Sequence, residues 1–67
     1  MTNEQVQQRI RHLVGSRYVA SVKRYITELT ERMQVFGPRD LVSREWNRER
    51  IVIGVNEAGN IESFNFG

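Results

Sequence analysis

Cysteine is absent from the 67 residues, so no disulfide and no thiolate metal site can hold this chain together. Lysine is nearly absent as well: among ten basic residues only Lys23 is Lys, and the rest are Arg, the side chain better suited to forked, bidentate recognition. No apolar run approaches the roughly 20 residues that a membrane-spanning helix needs. The opening MTNEQVQQRI lacks the charged-then-apolar layout of a signal peptide. Together with the missing Cys, this leads us to expect a cytoplasmic protein, or a secreted one if a leader has been removed. There is one His, and His12 is not accompanied by a Ser–His–Asp order, a metal-ligand cluster or a Gly-rich phosphate loop. We therefore expect no enzyme, no cofactor and no metal. The net charge of +2 is a weak signal for nucleic acid, because the acids are interspersed among the bases.

What remains is enough for one small domain. A chain of this length buries only about 60% of the surface its unfolded form exposes, and its core supplies roughly 3–5 kcal/mol of net stability. An enclosed pocket of about 300–1,000 Å³ has little room in it. A binding surface or an exposed loop is the expected working part.

Residues 4–13 place Val6, Ile10 and Leu13 at helical spacing, with Thr2 or Asn3 as N-cap. Gly15 closes that segment. Tyr18, Val22, Tyr25 and Leu29 repeat the spacing, widened by Val19 and Ile26, which predicts the main helix over residues 17–32 with Ser16 as N-cap. Its other face carries solvated pairs, Lys23 with Thr27 or Arg24 with Glu28. MQVF at 33–36 reads as a short strand stopped by Gly37 and Pro38. IVIGV at 51–55 is the strongest strand signal. NEAGN at 56–60 reads as a turn with Gly59 free to take positive φ, and 61–66 as an antiparallel return strand. The expected fold is α+β: a main helix on a small mixed sheet, a long exposed loop between two parallel strands, a C-terminal antiparallel hairpin and an extra N-terminal helix. Residues 1–14 would be a helical extension and 15–67 the core of a single domain.

The stretch DLVSREWNRER, residues 40–50, has neither helical nor strand periodicity, yet holds the only Trp and much of the charge. Long structureless connections in compact domains are functional or disordered, and Val42 and Trp46 argue against plain disorder. From composition alone Arg44, Glu45, Arg48 and Glu49 read as a solvated loop. Trp46 has two readings, a core residue folded under the loop or a contact residue on it.

Leu13–Gly15, the helix, QVF, LVSREW, IVIGV, NEAGNI and the final Gly67 together resemble the potato inhibitor I family of serine-protease inhibitors and its bacterial and fungal relatives, the I78 inhibitors. The resemblance implies a substrate-like inhibitor of a serine endopeptidase. Val42, Ser43, Arg44, Glu45, Trp46 and Asn47 would form the reactive-site loop, with Arg44–Glu45 as the reactive bond. It also implies that Arg50 braces the loop from the sheet, offering several N–H donors at once to Ser43 and Glu45. Arg44 before the bond would suit a trypsin-like specificity pocket, while many relatives carry residues suited to subtilisin-like enzymes. Val52 stands where the family keeps a second bracing Arg, and Ser43 where it usually has Thr. The expected partner is a serine endopeptidase, with the inhibitor a monomer or weak homo-oligomer, and with no nucleic acid and no membrane. The alternatives are a non-inhibitory interaction module on the same fold and, behind it, an Arg-rich nucleic-acid binder.

Overall fold

The computed structural model describes residues 1–41 and 47–67. Helix α1 spans Asn3–Ile10 and continues into a 3-10 turn at Arg11–Leu13; helix α2 spans Ser21–Thr30. Strands β1 (Val35–Phe36), β2 (Ile51–Val55) and β3 (Ile61–Phe66) form a three-stranded sheet with β2 in the centre. β1 runs parallel to β2, with Val35 opposite Ile51, and β3 runs antiparallel to β2, with Ile53 opposite Phe64. The α+β class, the mixed sheet, the parallel pair, the hairpin and the additional N-terminal helix all agree with expectation.

Local chemistry explains where α1 begins. The Thr2 hydroxyl accepts the Gln5 N–H at 3.2 Å, and the Gln5 side chain accepts the Thr2 N–H at 2.9 Å. This reciprocal capping box satisfies two of the donors that a helix start leaves open. Val6 and Ile10, four residues apart on one face, are fully buried. The helix expected as an extension thus supplies part of the core.

Helix α2 differs from expectation at its start. The segment over residues 15–18 is not helical: Gly15 turns at a φ of 93°, Arg17 forms an isolated bridge with Asn60, and the backbone pairs with the turn into β3. Gly15 N–H donates to Ile61 at 2.8 Å, Ile61 N–H to Ser16 at 2.7 Å and Tyr18 N–H to Gly59 at 2.9 Å. Ser16 is therefore not an N-cap; Ala20 occupies that position and makes no side-chain cap bond. The apolar face is correspondingly shorter, with Val22 and Ile26 in the core, Leu29 packed against it and Val19 and Tyr25 exposed. The helix ends at Glu31, whose N–H closes the last turn on the Thr27 carbonyl at 2.7 Å and whose left-handed φ of 61° then turns the chain out of the helix.

The core lies between the helices and one sheet face. Ile51 and Ile53 of β2 and Ile61 and Phe64 of β3 meet Val6, Ile10, Val22 and Ile26. Ile61 and Phe64 are an odd number of residues apart, so a regular strand would point them to opposite faces. A register shift between Gly54 and Val55, opposite residues 61–63, resolves this. One residue of β3 is extra, and both side chains reach the same core.

Candidate functional site

The connection from β1 to β2, residues 37–50, is where the sequence places the functional loop. Of the expected loop residues, Val42, Ser43, Arg44, Glu45 and Trp46 lie outside the described residues. Asn47 and the expected brace Arg50 are described, as are both feet of the connection.

At the entrance, Gly37 is buried against Tyr18: a Cβ placed on it would collide with the Tyr18 hydroxyl. Tyr18, expected on the face of the main helix, instead precedes that helix and closes this corner. Glycine is required here by close approach rather than by φ. The Asp40 carboxylate then folds the chain back on itself, accepting the Gly37 N–H at 2.7 Å and the Lys23 ammonium at 2.8 Å through the same oxygen. Lys23 is accordingly paired with the loop. Its expected partner Thr27 uses its hydroxyl on the Lys23 carbonyl instead, while Arg24 does meet Glu28, at 3.3 Å on the surface. The hydrogen bond from Lys23, and then that from Gly37, holds the Asp40 carboxyl below the ordinary value of 3.8. The same Lys23–Asp40 hydrogen bond holds the Lys23 ammonium above 10.5. Beyond Asp40, Leu41 is 96% exposed, a large apolar side chain presented to solvent just before the expected reactive segment.

At the exit, Asn47 works in two directions. Its amide N–H donates to the Gln34 side chain at 3.1 Å, and its side-chain oxygen accepts the Glu49 N–H at 2.9 Å. Its carbonyl accepts the Arg50 N–H at 3.1 Å, and Ile51 N–H bonds the Gln34 carbonyl at 2.9 Å. The exit is thus a tight turn pinned to the residue before β1. Asn3, at the start of α1, donates its side-chain N–H to the Arg48 carbonyl at 3.0 Å.

Arg50 is 5% exposed. By strand alternation it lies on the sheet face away from the helices, with Val52 and, across the parallel pair, Phe36. Its guanidinium carbon sits 5.8 Å from the centre of the Phe36 ring, a cation–π distance. Val52 is half-buried.

Sequence reasoning missed Asn3, Gln34, Asp40 and Tyr18 as supports of this connection. Two signals were present for one of them: Asp40 is the only Asp of the chain and Lys23 the only Lys. His12 is exposed and lies 3.1 Å from the Tyr25 hydroxyl, ring edge to ring face. Among the described residues there is no cluster of three or more potential metal ligands, and no helix is long and apolar enough to cross a membrane.

Neither the curated proteins nor the solved structures yield a match. The model of the peptidase inhibitor I78 family matches residues 6–67, a span running from within α1 through both helices, the connection and all three strands. That is nearly the whole chain, and on it the chain belongs to the peptidase inhibitor I78 family.

Proposed function

We propose that the chain is a reversible, substrate-like inhibitor of a serine endopeptidase of trypsin-like or subtilisin-like specificity, with Arg44–Glu45 as the reactive bond. Membership of a family of peptidase inhibitors carries the coarse part of this reading, a peptidase as partner. The finer part rests on the order of residues in the connection, with Arg44 ahead of the chain's return to the sheet at Arg50.

An inhibitor of this kind presents an extended segment to the peptidase cleft and holds it there. Pre-ordering spares roughly 0.5–1.5 kcal/mol for each side chain that binding would otherwise immobilise. With no disulfide in the chain, that order must come from non-covalent supports. The anchored feet at Asp40 and Asn47 support the reading, as does a buried guanidinium at the start of β2. In this reading the Arg44 side chain enters the specificity pocket, Glu45 follows the bond, Val42, Ser43 and Trp46 line the contact, and Arg50 braces the segment from beneath. The protein does no chemistry of its own; the peptidase supplies it.

The test is titration of trypsin and of subtilisin with the wild type and with Arg44→Ala. Inhibition of trypsin that Arg44→Ala abolishes supports the assignment. Inhibition of subtilisin that survives the substitution moves the reactive bond elsewhere. Inhibition of neither enzyme, with fast hydrolysis after Arg44, favours an interaction module whose loop is merely a substrate.

A further inference from the structure

We infer that the start of α1 is a positioning element for the exit of the connection, and that Asn3 is its positioning residue. The inference rests on the inhibitor reading for its consequence, but not for its geometry. Asn3 is separated from Arg48 by 45 positions, and its side-chain amide donates to the Arg48 carbonyl at 3.0 Å. That carbonyl lies inside the turn that Asn47 closes on Glu49 and Arg50. The same end of α1 is held from a second side, since the buried Arg32 guanidinium, just past α2, donates to the Met1 carbonyl at 2.9 Å. Met1, Thr2, Asn3, Arg32, Arg48 and Glu49 line one open cleft of about 530 Å³ between the helix start and the returning loop. α1 is thereby docked between the connection before β1 and the turn before β2.

Asn3 lies ahead of the matched residues 6–67, so family membership assigns it nothing. Neither is it needed to start its own helix. The capping box is made by Thr2 and Gln5, and the Asn3 side chain is left to reach across to the loop. A side-chain amide that donates to the Arg48 carbonyl resists rotation of the Arg48 peptide. Load that reaches the exit turn is thus shared with α1.

The test uses the full chain with Asn3→Asp and Asn3→Ala, and Thr2→Ala as a control. Asp keeps the shape but loses the donor, and an acid in the first turn favours the helix dipole. The melting temperature of Asn3→Asp should therefore hold or rise. Amide hydrogen exchange at Glu49 and Arg50 should quicken about 3- to 10-fold in both Asn3 variants, the range of one net hydrogen bond, while Ile26 in α2 keeps its rate. The inhibition constant against trypsin should rise by a similar factor. Thr2→Ala should instead lower the melting temperature. Exchange at Glu49 and Arg50 that does not change, or that quickens only in step with Ile26, overturns the inference. So does quickened exchange with an unaltered inhibition constant. If the wild type inhibits neither trypsin nor subtilisin while the exchange effect appears, the tether stands and the inhibitor reading falls.

Discussion

The two feet of the connection are fastened by different chemistry. The entrance is held by charge: one Asp oxygen gathers a backbone N–H and the chain's single Lys. At the exit the side-chain amides make neutral hydrogen bonds, Asn3 to the Arg48 carbonyl and Asn47 to the Gln34 side chain and from the Glu49 N–H, beside the buried Arg50 guanidinium. A charged clasp answers to pH and salt, whereas an amide clasp answers to neither over the usual range. The Lys23–Asp40 clasp and the Asn47 amide bonds should therefore answer differently to conditions.

The largest effect should come from forcing the entrance apart. Gly37→Val puts a Cβ where the Tyr18 hydroxyl stands and should cost about 1–3 kcal/mol by overpacking. Against a total of roughly 3–5 kcal/mol that is a large loss, readable as a lowered urea midpoint. An unchanged midpoint would show that Tyr18 swings away freely and that the corner is not a support.

At the exit, Asn47→Ala removes two side-chain hydrogen bonds, to Gln34 and from Glu49 N–H. The groups left behind can turn to water, so the expected loss is smaller, about 0.5–1.5 kcal/mol. Amide exchange at Glu49 should quicken in the variant. The comparison between the feet is sharpened if Gly37→Val leaves Glu49 exchange local to the exit untouched.

A change that touches none of the hydrogen bonds of either foot serves as the reference. Glu31 ends α2 in the left-handed region, where a side chain costs roughly 1–2 kcal/mol. Part of that gain is offset by the greater unfolded freedom of Gly. Glu31→Gly should raise stability by about 0.5–1 kcal/mol and change neither foot, as judged by melting temperature and by exchange at Asp40 and Glu49.

The smallest effect, and the most specific, is the pH response of the entrance. The Asp40 pKa is lowered in the folded state, so its contribution is present above the ordinary carboxylate value of 3.8 and is lost as pH falls through the folded value. The Lys23 pKa is raised, so its contribution is complete below 10.5 and is lost as pH rises through the folded value. Between those limits the pair adds no slope. Asp40→Asn should flatten the acid limb that this pair contributes and the alkaline limb as well, and should make the entrance insensitive to salt. Asn47→Ala should leave both limbs as they are. If the two variants alter the pH profile alike, the distinction between the feet fails.

Much of the scaffold was legible in residue order. IVIGV and the alternation after NEAGN mark β2 and β3, since apolar runs bounded by turn residues permit little else. Thr2 followed by Gln5 spells a capping box within four residues. The start of α2 was not legible, because Tyr18 and Val19 continue the helical spacing and Ser16 is a good cap. What overrides that spacing is pairing of residues 15–18 with residues 59–61, and no local pattern announces a partner forty positions away. The supports of the connection were hidden for the same reason. Asn3, Gln34 and Asp40 are ordinary surface residues until folding brings a carbonyl or an amide opposite them.

Periodicity, capping and turn chemistry operate within a few residues, so the chain order alone determined most of the helix and strand segments and the α+β class. Hydrogen bonds between distant segments have no such local rule. Only the folded arrangement decided where α2 begins, that the one Lys meets the one Asp, that β3 bulges to bring Ile61 and Phe64 onto the same face, and that the first turn of α1 reaches the returning loop.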